Sequence, residues 1–174
     1  EHKQTNHEGG ISSPLIAWWP GVIANAGGIS RELSHITDIM ATCLDVAGVG
    51  YPHEFNGRSI ASLSGISLTP VFRGQPRDGH ASLCWATSGS RAVREGNWKL
   101  VAAKDGPWEL YDLSTDRAEQ HDLAAKMPAR VEELAHVWQR QTDSFIELAK
   151  QTLDLQPQAG AKGKAKAKAN RASN

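Results

Sequence analysis

The chain has 174 residues, 40% of them hydrophobic, with 19 lysines and arginines against 19 aspartates and glutamates and only two cysteines. That is enough chain for one soluble core, since a domain of about 150 residues buries about two thirds of the surface its unfolded chain exposes, and it excludes a collagen repeat, a disulfide scaffold and a wholly disordered chain. The zero net charge is a sum of opposites: residues 157–174 carry Lys162, Lys164, Lys166, Lys168 and Arg171 with no acid, or +5, which leaves 14 basic and 19 acidic residues, or −5, on residues 1–156.

The opening, residues 1–10, is polar and ends in a glycine pair, so it reads as a loop. It starts at Glu1 with no basic region and apolar run behind it, and the start of a longer protein is expected upstream. Residues 14–19 (PLIAWW) form an unbroken apolar run closed by Pro20-Gly21, the pattern of a strand buried on both faces of a parallel sheet. Ile36, Ile39, Met40, Cys43, Leu44 and Ala47 then recur at helical spacing, with Ser34 or Thr37 as N-cap and Gly48 as the stop. Residues 50–80 are rich in Gly, Pro and Ser and read as a long surface connection.

The next part is regular. Residues 81–87, 90–95, 98–103 and 108–113 are strand-like runs separated by Ser88-Gly89, Gly96-Asn97 and a four-residue turn, so they predict an antiparallel meander. On the third run Trp98, Leu100 and Ala102 share one face, with Lys99 and Val101 on the other. From Pro128 to about Leu148 a helix carries Val131, Leu134, Trp138, Phe145 and Leu148 on one stripe and is expected to lie across the meander. The Lys-Ala tail has no apolar face and reads as disordered. Cys43 and Cys84 sit in apolar surroundings and read as free core thiols, and the six tryptophans read as core packing.

A lysine just before a glycine pair and a buried strand can aim a compact cation at an anion held at the edge of a sheet, which singles out Lys3. Taken alone, a lysine near a chain end is ordinarily a solvated charge. His2, His7 and Glu8 do not make a closed metal-ligand set, and His35, His53, His80, His121 and His136 are scattered. There is no basic patch for nucleic acid on the body of the chain, and no apolar run approaches the ~20 residues of a membrane span.

These words match a family pattern. The run K-Q-T-N-H-E-G-G-I-S-S-P-L-I-A-W-W-P-G from Lys3 resembles the Lys-x-x-x-x-Glu-Gly-Gly-x-x-x-Pro-x-Ile-x-x-Trp-Pro-Gly signature of type I sulfatases, the formylglycine-dependent arylsulfatases of the alkaline-phosphatase-like superfamily. H-I-T-D-I-M-A-T-C-L-D-V-A-G-V, N-G-R-S-I and L-T-P-V-F-R-G continue the likeness, as do R-A-V-R-E-G-N-W-K-L, W-E-L-Y-D-L and E-Q-H-D-L-A further on. The resemblance spans residues 1 to about 148. It implies an α/β fold: residues 1–80 as the C-terminal part of the α/β catalytic domain, 81–150 as a four-stranded antiparallel subdomain with a covering helix, and 151–174 as a tail.

The resemblance also implies roles. Lys3 would contact a sulfate oxygen, His7 would stand at the substrate rim, and Gly9 and Gly10 would let the loop fold back beneath the site. The family's nucleophile is a formylglycine made from the Cys of a Cys-x-Pro-x-Arg motif, and its calcium is held by Asp and Asn residues. Neither Cys43 nor Cys84 stands in that motif, so both groups are expected from upstream chain. Where related sequences read Trp-Glu-His-Glu-Gly-Asn, this one has Trp85-Ala86-Thr87-Ser88-Gly89-Ser90, which alters the groups facing the substrate. The expected function is that of a sulfatase acting on a sulfated small molecule or glycan, as an exported protein. A non-catalytic remnant that binds sulfated glycans or a partner chain, and a phosphate or phosphonate hydrolase of the same fold, are the alternatives.

Overall fold

The structure, a computed structural model, describes residues 5–154. His2, Lys3 and residues 155–174 lie outside the described residues. The chain separates into two compact units after Gln139, Glu1–Gln139 and Arg140–Asn174.

The clearest element is the meander. Strands β3 (Leu83–Thr87), β4 (Ser90–Glu95), β5 (Trp98–Ala102) and β6 (Glu109–Asp112) pair antiparallel in sequence order; β1 (Glu54–Phe55) and β2 (Arg58–Ser59) form a separate small hairpin. The β3–β4 turn has Ser88 at φ 52° and Gly89 at φ 87°, the left-handed pair whose twist matches that of the flanking strands. Alternation sends successive side chains to opposite faces, so the sheet has two different surfaces.

On one face Val93, Leu100 and Leu110 pack with Leu134 of helix α4 (Pro128–Asp154), all fully buried. Pro128 opens that helix where its missing N–H costs nothing. Val131 and Trp138 join the same cluster, and Trp138 meets Trp108 edge to face at 5.9 Å. The helix runs to Asp154, past the expected end near Leu148, and Phe145 and Leu148 of the expected stripe are exposed. The opposite face holds Ala92, Val101 and Tyr111 against Leu113 and Trp85.

Helix α2 (Thr37–Ala47) forms where the spacing places it and stops at Gly48, whose φ of 65° is the left-handed cap. Its faces are the reverse of those expected. The buried positions are Asp38, Ala41 and Thr42, while Ile36, Ile39, Met40 and Cys43 are exposed. The helix is held through its polar side: the Thr42 hydroxyl accepts the Leu68 amide at 2.9 Å just ahead of helix α3 (Thr69–Phe72). Cys43 is therefore not a core thiol; Cys84 is half-buried, and both are free.

Residues 14–19 are likewise a correction. They form no strand, with Ile16 91% and Trp18 86% exposed. A strand needs a neighbour to satisfy its backbone and cover its side chains, and no described element supplies one. Trp18 is accordingly not a core residue. The connection 50–80 is more ordered than its composition implies, since it contains β1, β2 and α3, with Asn56 and Gly57 at positive φ in the hairpin turn.

Candidate functional site

The face of the sheet opposite α4 is polar toward β5 and β6. Register pairs Arg94 with Lys99, Lys99 with Tyr111 and Val101 with Glu109, which puts these side chains on one surface. Residues 5–11, including the one-turn helix α1 (Glu8–Ile11), dock there through contacts spanning 84 to 111 residues of sequence.

The docking rests on polar contacts, with the His7 ring edge-on to Tyr111. The Asn6 amide donates to Ser90 Oγ at 3.3 Å, and that hydroxyl donates to the Ala102 carbonyl. His7, 4% exposed, places Nε2 3.1 Å from Glu109 Oε2, which also accepts the Tyr111 hydroxyl at 2.6 Å. Burial, then the Glu109 carboxylate beside it, push the Tyr111 hydroxyl up, so it remains a neutral donor. Asn6 Nδ2 and His7 Nδ1 are buried without a partner among the described residues.

Glu8 is held twice. Its Oε1 lies 2.9 Å from Lys99 Nζ, and its backbone N–H donates to Glu119 Oε2 at 2.7 Å. Glu119 Oε1 is also 2.8 Å from Nζ but off the line of a directed hydrogen bond, so that contact is a charge pair. The Lys99 side chain is fully buried. Arg94 feels the same charge: burial holds its guanidinium below the usual range, and Glu8 offsets this only in part.

Gly10 is fixed by close approach. A Cβ there would run into the Thr5 carbonyl, while the Gly10 amide donates to the His7 carbonyl at 2.8 Å. Gly9 is exposed in the same turn. Gly10→Ala is expected to lift the turn and cost about 1–3 kcal/mol, as overpacking does. The check is the urea midpoint of unfolding, which falls at unchanged slope.

A second polar cluster joins α2 to the connection. Asp38, fully buried, receives the His35 and Ile66 amides, Arg77 Nη2 at 2.8 Å and His80 Nε2 at 2.7 Å. Among the described residues no group of three or more His, Cys, Asp or Glu side chains could hold a metal ion. Burial pushes the Cys84 thiol up to about 12, so it offers no thiolate near neutral pH. No described helix is long and apolar enough to cross a membrane.

The structure thus places His7, Gly9 and Gly10 in one docked loop, and Lys3 lies outside the described residues. Sequence reading passed over Lys99, Glu109 and Glu119. The one signal available for Lys99 was a charge sharing a strand face with Val101, between Trp98 and Leu100 on the other face.

Comparison with known proteins supplies the family. Residues 2–147 match the family described as N-sulphoglucosamine sulphohydrolase, C-terminal. The chain is 37% identical over 138 residues to an uncharacterized sulfatase of Schizosaccharomyces pombe, covering 75% of this chain and 25% of that protein. It is 42% identical over 116 residues to N-acetylgalactosamine-6-sulfatase of Mus musculus, covering 66% and 21%. A solved structure of a protein in complex with its substrate D-glucosamine-2-N,6-O-disulfate superposes with a TM-score of 0.46 at 22% identity, over 63% of this chain and 24% of that one. The chain spans about a quarter of the length of the curated relatives it matches.

Proposed function

The chain belongs to the sulfatase family whose C-terminal region is represented by N-sulphoglucosamine sulphohydrolase, and from that premise we propose that it is the C-terminal part of an enzyme hydrolysing sulfate esters of aryl or carbohydrate substrates. The observation that carries the reading is the family match over residues 2–147, which includes Lys3 five residues ahead of Glu8-Gly9-Gly10. Residues 1–80 would end the α/β catalytic domain, 81–150 would be its subdomain, and 151–174 its tail. The full-length protein would be exported.

Cleavage of a sulfate ester gathers negative charge on the sulfuryl and leaving oxygens. A fixed ammonium at Lys3 would stabilise that charge as it develops. His7, with Nδ1 unpartnered among the described residues, is the second candidate for the substrate rim. The described residues do not fit a calcium site, and neither cysteine stands in a Cys-x-Pro-x-Arg motif. The calcium ligands and the cysteine that becomes formylglycine would therefore lie in the rest of the full-length protein.

The test is sulfate release by the full-length protein from 4-nitrophenyl sulfate and from N- and O-sulfated glucosamine, set against 4-nitrophenyl phosphate and a phenylphosphonate monoester. Turnover of sulfate esters well above the phosphorus esters is expected, with the 174-residue chain alone inactive. The reverse preference would make the protein a phosphorus-ester hydrolase. No turnover of any ester, with binding of sulfated glycan retained, would make it a non-catalytic relative.

A further inference from the structure

We infer that Lys99 is a positioning residue for the loop at residues 5–11, which follows the proposed sulfate contact in sequence, holding Glu8 to the sheet by a buried charge triad. Its effect on turnover rests on the sulfatase reading; the docking does not. An ammonium taken wholly out of water is costly unless charged partners surround it. On β5 a valine would fill the same place without that cost, as Val101 does two residues on. The partners that justify a lysine both come from outside the sheet: Glu8 from α1, and Glu119 from the loop after β6.

The delivery of Glu119 is itself built. Its φ is 55°, a left-handed conformation unusual for a residue with a side chain. The Asp116 carboxylate organises the surrounding turn by accepting the Gln120 and His121 amides. The strained residue then uses both carboxylate oxygens, one on the Glu8 amide and one on Nζ. Lys99 grips the Glu8 side chain while Glu119 grips its backbone, so this one residue is fixed at both ends. Without the ammonium, two carboxylates face one another at short range and repel. The docked turn then lifts, and residues 5–11 lose an anchor.

The experiment uses the full-length protein with Lys99→Met, the neutral triple variant Lys99→Met/Glu8→Gln/Glu119→Gln, and Lys3→Ala as the comparison. Two readouts are taken: kcat and KM on 4-nitrophenyl sulfate, and hydrogen exchange of the Glu8 and Ile11 amides against those of Val93 and Val101. Lys99→Met is expected to speed exchange in the loop at least about tenfold while the strand amides stay protected. It should lower kcat about 100-fold, the scale of an ångström misplacement of a reacting group, with KM little changed. The triple variant should recover much of the loop protection, because its amides neither repel nor need a buried cation. Lys3→Ala should lower kcat without loosening the loop.

An active wild type whose Lys99→Met variant keeps both its loop protection and its kcat overturns the inference. So does a loosened loop with unchanged kcat, which would make Lys99 structural only. Equal loss of strand protection in Lys99→Met and the triple variant would do the same. A wild type that releases no sulfate, yet whose loop loosens in Lys99→Met, would sink the sulfatase reading and leave the docking in place.

Discussion

Asp38→Ala is expected to destabilise the protein by about 3–5 kcal/mol, the range for removing one member of a buried ion pair. Arg77, whose side chain is 1% exposed, would keep its guanidinium inside with the carbonyls of Leu33, Ile66 and Ser67 as acceptors. Its other carboxylate neighbour, Glu32, is 3.7 Å away and much more exposed, so it replaces little of the lost charge. The His35 and Ile66 amides and His80 lose their acceptor in the same substitution, which unties both the start of α2 and the connection from one point. Hydrogen exchange across residues 35–47 and 66–80, with chemical unfolding, reads the effect. A loss below about 1 kcal/mol would mean that Arg77 reaches water when Asp38 is removed.

The same carboxylate gives an acid limb. Burial alone would raise its pKa, but the Ile66 and His35 amides and the His80 ring outweigh burial and hold it below 3.8. A depressed acid contributes stability that is complete above its unfolded value near 4 and is lost as pH falls through its folded value. Stability should therefore drop below about pH 4 in the wild type, and less steeply in Asp38→Ala. Parallel acid limbs in the two proteins would assign that drop to other carboxylates.

Lys3→Ala should lower kcat on a sulfate ester by about 10²–10³, the cost of removing one charge-stabilising donor aimed at a developing anion. The effect belongs in kcat if the ammonium meets more charge in the transition state than in the bound ester. Lys3→Arg should recover only part of it, because a planar fork places its donors differently from a compact ammonium. Single-turnover measurement of sulfate release separates this from a slowed product step. Unchanged kcat in Lys3→Ala would remove Lys3 from the chemistry and return it to the solvated surface.

The meander was legible because two signals coincide there: apolar alternation, and turns too short for anything but antiparallel neighbours. Asn56-Gly57 carried the same hairpin signal, but with only two residues on each side it was lost in a Gly- and Ser-rich stretch. Residues 14–19 were misread because an apolar run states what a segment would bury and not whether the covering surface is present. The faces of α2 were reversed for a related reason. Periodicity counts apolar side chains, whereas this helix is held to the connection by Asp38 and Thr42, whose partners there lie 26 to 42 residues away. Glu8, Lys99 and Glu119 were each visible as a charge, but their meeting is a matter of topology. The loop words were recognisable; the clamp beneath them was not.

The separations involved also order events in time. Strands β3 to β6 pair only with sequence neighbours, so each hairpin can close while the chain is still being made, with little loop entropy to overcome. The turn at Glu8 is synthesised ahead of the sheet it docks on, yet its two grips reach forward 91 and 111 residues. Its double hold is complete only once the sheet has formed and the stretch around Glu119 has emerged. The loop nearest the proposed chemistry is thus completed only after the sheet, and a nascent chain halted before residue 119 would lack the grip on the Glu8 backbone.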